Sequence, residues 1–174
     1  MDRKHRTGYL LIILLIGLAL RTINLSSFSM FGDEVWSVDV AKHNIKDIPR
    51  LSFNDSNGPL FQIVLHCWMK LSGTRQLYLR LLPVIFGLGG ILLTFFICRY
   101  LFNDSVAILA SLLISISSFI ILFNRTVRWY SVSYFLELLF LYIFIKAVKE
   151  NKLHYWILYP FIACLAMYAR FTMI

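Results

Sequence analysis

Two adjacent acidic residues are candidates for proton transfer. Asp33 and Glu34 follow Gly32, a few residues after the first apolar segment of the chain. In this position they can simply begin a helix, because carboxylates complement the positive end of the helix dipole. A carboxylate that another residue holds in place can also act as a general base towards a hydroxyl group. We therefore treat both as candidate catalytic residues and leave the helix-start interpretation open.

Two arginines, Arg125 and Arg128, lie between the third and fourth apolar segments, just before Tyr130. Arginines at such a boundary can anchor a helix end by snorkelling towards the membrane surface. Guanidinium groups also bind phosphate through paired hydrogen bonds. A spacing of three residues would put both side chains on one helical face. The pattern predicts either membrane anchoring or phosphate binding.

Two further ionisable residues, Glu137 and Arg170, fall inside apolar segments. Charged side chains within membrane spans usually face the interior of the bundle and have partners there. At helical spacing, Tyr130, Tyr134 and Glu137 would form one face that continues from the arginine pair. This face serves either packing or substrate contact, and the spacing does not decide between them.

The composition shows which elements must position these residues. Of 174 residues, 59% are hydrophobic and 15% are charged. This excludes a disordered, a collagen-like or a disulfide-rich secreted protein. The net charge of +8 comes from residues scattered at the ends of apolar runs, which is typical of topology signals and not of a nucleic-acid-binding patch. The chain is predicted to be an integral membrane protein with no nucleic-acid partner.

We predict one all-α, polytopic transmembrane module over residues 1–174. The five expected spans cover about residues 8–25, 81–101, 106–123, 129–148 and 155–174. The first span is predicted to be an uncleaved signal anchor with its N-terminus in the cytoplasm. Residues 26–80 then form an extracytoplasmic loop, in which the apolar segment 59–71 is too short to span and lies in the interface. Asp33 and Arg128 are expected on the same, outer side.

An N-terminal anchor followed by a fixed order of motifs resembles the membrane glycosyltransferases of GT-C type. Within that class the order is similar to the family of protein O-mannosyltransferases and aminoarabinose transferases. The motifs are Gly-Asp-Glu-x-Trp-Ser at 32–37, Gly-Pro-Leu-Phe at 58–61, Leu-His-x-Trp-x-Lys-Leu-x-Gly at 65–73, Arg-Leu-x-Pro-x-x-x-Gly at 80–87 and Arg-x-Tyr-Ser at 128–131.

The resemblance implies an enzyme that moves a sugar from a polyprenyl-phosphate donor to a hydroxyl group, with inversion, outside the membrane. The acceptor would be a lipid, a glycan or a protein, and many relatives act in bacterial cell membranes. By the same resemblance, Asp33 would be the base with Glu34 beside it. Arg128 would neutralise the leaving phosphate, with Tyr130 alongside and Arg125 as a second contact.

The sequence also departs from the family pattern. Asn57 stands where relatives often have His or Lys, so it would be an uncharged substrate contact. Thr126 and Val127 stand where relatives often have an acidic residue. We therefore predict no metal ligands, and the use of a divalent metal as cofactor is left open.

Two further expectations concern the extent and the class of the protein. Members of the resembled family continue with further spans, so we expect this chain to be an N-terminal part that is truncated at its C-terminus. The alternative is a small non-enzymatic membrane protein, a transporter part or an assembly factor. Under that alternative Glu137 and Arg170 would form an ion pair inside the bundle.

Overall fold

The structure is a computed structural model that describes residues 3–27, 29–53 and 58–170. This part of the chain forms nine α-helices and no strands, which confirms the predicted all-α bundle. The helices are α1 (Arg3–Thr22), α2 (Gly32–Lys42), α3 (Ile48–Phe53), α4 (Leu60–Ser72), α5 (Gln76–Leu101), α6 (Asp104–Ile116), α7 (Ser118–Asn124), α8 (Tyr130–Glu150) and α9 (Leu153–Ala169).

Three of the described helices are long and apolar enough to cross a bilayer by themselves. They are α1, α5 and α8. Helices α6 and α7 qualify only as a pair, because the chain bends by 62° between them. Helix α9 is apolar but has only 17 residues. Three or four spans are thus supported by length and composition, and the fifth span stays a prediction.

The bend between α6 and α7 replaces the single straight span expected at 106–123. Ser117 has an extended backbone and separates the two helices. The last carbonyl groups of a helix have no partner within it, and here Arg21 of α1 takes that place. Its guanidinium donates to the carbonyl oxygens of Ser115 at 2.9 Å and Ile114 at 3.5 Å. The break is therefore stabilised by a charged side chain from another helix.

Helix α5 begins at Gln76, five residues before the span expected at 81–101. The expected boundary placed Arg80 just outside the span. In the structure Arg80 is buried, and its Nη2 lies 2.8 Å from the Glu34 carboxylate. Because its charge is paired, the helix extends past it, and the loop predicted at 26–80 includes the first turn of α5.

One end of the bundle is held together by ion pairs and is called the basic end here. Arg6 of α1 and Arg99 of α5 both contact the Asp104 carboxylate at the start of α6, at 3.4 and 3.2 Å. The hydroxyl of Tyr100 donates to Glu150 of α8 at 3.3 Å. The ends of α1, α5, α6 and α8 therefore meet on one side of the bundle.

The opposite end, called the loop end, carries α2 to α4 and residues 125–129. Its core contains Phe61 and Leu65 of α4, Leu79 of α5, and Val127, each no more than 2% exposed. Beneath it, Gly87 of α5 lies so close to Asn124 that a Cβ atom would overlap that side chain. The segment that carries α2 to α4 is thus packed firmly onto the long apolar helices.

Candidate active site

The loop end brings together an acid and an arginine from distant parts of the chain. Asp33 Oδ2 lies 3.5 Å from Arg128 Nη2. The Asp33 side chain is 74% exposed, whereas that of Arg128 is only 11% exposed. An exposed ion pair of this kind contributes at most about 1 kcal/mol, so a ligand can displace it. The acid is accessible, and the arginine is held beneath it.

Helix α2 holds the Arg128 side chain in place. Its Nη1 lies 3.5 Å from both the Asp33 carbonyl oxygen and the Ser37 hydroxyl. The guanidinium also lies over the Trp36 ring, 5.7 Å from the centroid. A cation over an indole face is stabilised without giving up all of its hydrogen-bonding capacity. Helix α2 therefore supplies both the exposed acid and the support for the arginine.

Glu34 has surroundings quite unlike those of its neighbour. It is 1% exposed, and its two oxygens accept four hydrogen bonds. Oε1 accepts from Arg80 Nε at 3.2 Å and from the backbone N–H of Val127 at 2.9 Å. Oε2 accepts from Arg80 Nη2 at 2.8 Å and from the backbone N–H of Phe31 at 3.1 Å. Glu34 thus joins α2, α5 and the arginine turn.

The two arginines of the turn do not share a helical face. Residues 125–129 lie between α7 and α8 and are not helical. A spacing of three residues therefore does not place the two side chains on one face. Arg125 Nη2 donates to the carbonyl oxygens of Ile23 and Asn24 after α1, at 2.7 and 3.1 Å. Arg125 and Arg128 therefore reach opposite sides of the turn, towards α1 and α2.

A cavity lies on the α1 side of the turn. It has a volume of about 560 Å³ and is mostly apolar. Arg80 and Arg125 contribute to its lining together with Phe31. Arg125 would meet a phosphate group only if a ligand approached through this side.

A second cavity, of about 450 Å³, lies on the α8 side of the turn. Tyr130, Tyr134 and Glu137 all line it, as their helical spacing predicted. Arg170 lines it as well, and its guanidinium lies 4.6 Å from the centroid of the Trp129 ring. The cavity begins at Trp129 and Tyr130, directly after Arg128, so it offers cationic and hydroxyl groups close to the arginine turn.

The non-enzymatic alternative predicts an ion pair between Glu137 and Arg170. Among the ion pairs of the described residues, none joins Glu137 to Arg170, although both residues line the same cavity and are neighbours there.

Arg170 is at the end of α9, where Gly58 packs against the carbonyl group of Tyr168 so closely that no side chain would fit. The loop before α4 thus supports the position of α9.

Two expectations about ligands remain open in the structure. Asn57 lies outside the described residues, so its role as a substrate contact stays a prediction. Among residues 3–27, 29–53 and 58–170, no group of three or more His, Cys, Asp or Glu side chains could hold a metal ion. No step proposed below uses a metal.

Comparison with known protein families matches residues 56–174 to the family described as dolichyl-phosphate-mannose-protein mannosyltransferase. The match covers more than half of the chain, including the arginine turn and helix α8, which lines the second cavity. The chain belongs to this family. No curated protein and no solved structure matches it.

Membership of the mannosyltransferase family confirms the resemblance drawn from the motif order. The protein is an integral membrane protein related to glycosyltransferases of the GT-C type. The matched region begins after α2, so it does not include Asp33 and Glu34, which contact it at Arg80, Val127 and Arg128.

Two buried residues near the site, Arg21 and Asn124, were not predicted from the sequence to support it. Arg21 is fully buried, and its Nε donates to Asn124 Oδ1 at 2.9 Å. Asn124 Nδ2 in turn donates to the Ser131 hydroxyl at 2.9 Å. A signal existed, because Arg21 lies inside the span predicted at about residues 8–25, and a charged side chain within a span is expected to find a partner inside the bundle. The partner itself, 103 residues away, could not be named.

Proposed function

We propose that this protein transfers a sugar from a polyprenyl-phosphate donor to an acceptor hydroxyl group at the outer membrane surface, with inversion. In this proposal Asp33 is the general base and Arg128 binds the donor phosphate. One observation carries it: an exposed carboxylate and a supported arginine meet at the loop end of a mannosyltransferase-family chain, 3.5 Å apart.

The bonds change in a single displacement. The acceptor oxygen attacks the anomeric carbon, and its proton moves to the Asp33 carboxylate. The bond from the anomeric carbon to the phosphate oxygen breaks, and the polyprenyl phosphate leaves with the electron pair. Arg128 stabilises the negative charge that develops on this leaving group, which is the electrostatic contribution expected of a fixed cation.

Inversion requires the base and the phosphate on opposite sides of the anomeric carbon. The ion pair between Asp33 and Arg128 must therefore open when the donor binds. The exposure of the Asp33 side chain favours opening of this ion pair, because Asp33 can turn into solvent while α2 continues to hold Arg128. The donor phosphate then replaces the carboxylate as the anion beside Arg128.

The cavity on the α8 side is the proposed place for the donor head group. Tyr130 and Tyr134 offer ring faces and hydroxyl groups to a sugar, and Arg170 offers a second positive charge. In the same proposal Glu34 is a positioning residue, because its two oxygens already accept four hydrogen bonds. Its buried carboxylate holds the arginine turn against α2.

The test is an activity measurement on the complete gene product that contains this sequence. Asp33→Asn should lower the rate of sugar transfer from a polyprenyl-phosphate donor by about 10²-fold or more, the usual contribution of a general base. The matched control is Asp39→Asn, because Asp39 is an exposed acid on the same helix. Retained transfer in the Asp33 variant, with both variants inserted in the membrane, would overturn the assignment.

A binding measurement separates the two arginines. Arg128→Gln should weaken binding of the polyprenyl-phosphate product, whereas Arg125→Gln should leave it unchanged. The opposite result would mean that the donor approaches through the cavity on the α1 side. Unchanged binding in both variants would remove the arginine turn from the mechanism.

A further inference from the structure

A third cavity lies at the basic end, on the side of the bundle away from the proposed active site. It has a volume of about 340 Å³ between α5 and α8. Its lining includes Arg99 and Lys146, the rings of Tyr100 and Tyr142, and Phe96. The proposed transfer reaction makes no use of these residues.

Lys146 is held in this cavity by aromatic rings. Its Nζ lies 5.4 Å from the centroid of the Tyr142 ring and 5.1 Å from that of Tyr155. The ammonium group also donates to the Tyr155 hydroxyl at 3.0 Å and lies 3.4 Å from Glu150 Oε1. A lysine fixed in this way is a positioned charge, in contrast to a flexible surface lysine.

In the described part of the chain, the basic end has more cations than anions. The Asp104 carboxylate is shared between Arg6 and Arg99. The Glu150 carboxylate is shared between Lys146 and Lys152, and its hydrogen bond raises the pKa of Lys152 above the ordinary value. Lys149 lies over the Tyr100 ring at 5.2 Å. Among the residues that the structure describes, five cations thus face two carboxylates, and the excess positive charge is available to an external anion.

The position of this charge identifies the kind of anion. The cavity lies where α5 and α8 end, and helices long enough to cross a bilayer end near its head groups. Phe96 is 40% exposed and gives the same cavity an apolar wall. Fixed cations, tyrosine rings and an apolar wall together match a phosphate ester that carries an acyl chain. Basic pockets between transmembrane helices bind anionic head groups for this reason.

We propose that the cavity between α5 and α8 binds the phosphate head group of an anionic membrane lipid, with Arg99 and Lys146 as its ligands. If the basic end faces the cytoplasm, as the distribution of Lys and Arg predicts, this lipid belongs to the inner leaflet. The proposal does not depend on the transferase activity.

Native mass spectrometry of the purified 174-residue chain tests this, with dioleoyl phosphatidylglycerol and dioleoyl phosphatidylcholine added separately. We expect one phosphatidylglycerol to be retained in preference to phosphatidylcholine by about tenfold or more, from two cationic contacts. The variant R99Q/K146Q should lose this preference. The control K4Q/K42Q removes the same charge from exposed residues outside the cavity and should keep it.

Two further variants and a displacement measurement make the result interpretable. If loss of the Lys146 contact to Tyr155 unfolds the double variant, R99Q alone serves, because the Arg99 side chain is 41% exposed. The variant R99K/K146R retains both charges and should retain the lipid. Displacement by millimolar inorganic phosphate would identify a soluble phosphate ligand at the same site. Equal retention of the two lipids, or an equal loss in R99Q/K146Q and the control, would overturn the proposal.

Discussion

Asp33 and Glu34 are neighbours in the chain, yet their carboxylates lie in opposite environments. The first is 74% exposed beside Arg128, and the second is buried with four hydrogen bonds. The sequence identified the acidic pair and the arginine turn as candidates. It could not separate the roles of the two acids, because the burial of Glu34 depends on Arg80, 46 residues away.

At this scale we predict that Glu34→Ala destabilises the protein far more than Asp33→Ala. Removal of Glu34 leaves Arg80 buried without its carboxylate, which costs about 3–5 kcal/mol in comparable pairs. Removal of the exposed Asp33 should change stability by no more than about 1 kcal/mol. Thermal unfolding of both variants in detergent measures the difference. Equal unfolding temperatures would contradict the structural role of Glu34.

The helices show which features a pattern of apolar residues can predict. Helices α1, α5, α8 and α9 occur where apolar runs predicted spans, with starts that differ by one to five residues. The bend of 62° between α6 and α7 was not predicted. Ser115, Ser117 and Ser118 interrupt the apolar run at this point, but serines alone do not specify a bend. The Arg21 side chain stabilises the bend, because it donates to the carbonyl groups that the bend releases.

The second prediction concerns this contact between elements. Arg21→Met should destabilise the bundle by about 2 kcal/mol or more, because each buried carbonyl without a partner costs about 1–3 kcal/mol. The loss should appear as a lower unfolding temperature. Arg50→Met is the control, since Arg50 is exposed on α3. If the two variants unfold alike, the bend does not need the guanidinium of α1.

At the scale of the whole molecule, the two ends of the bundle have different chemistry. The basic end collects Arg6, Arg99 and Lys146, and the loop end carries Asp33 and Arg128. The charge pattern of the sequence predicted that Asp33 and Arg128 would lie on the same side. It did not predict their direct contact, since that depends on how α2 folds back over the bundle.

The third prediction is that these two ends face opposite sides of the membrane. Cys67, Cys98 and Cys164 are first replaced by Ser, and single cysteines are introduced as K46C and N151C at exposed positions. A membrane-impermeant maleimide should label K46C in intact cells and N151C only after permeabilisation, because Lys- and Arg-rich ends stay in the cytoplasm. Labelling of both cysteines in intact cells would contradict the assigned orientation.

The close approach of Gly58 to the Tyr168 carbonyl group has a consequence for the evolution of this protein. A larger residue at position 58 would clash with α9 in its present position. Any ancestor or descendant that acquires a bulkier residue there must therefore displace the end of α9, and Arg170 would move with it. Substitutions at position 58 and at the end of α9 are thus expected to be coupled in evolution.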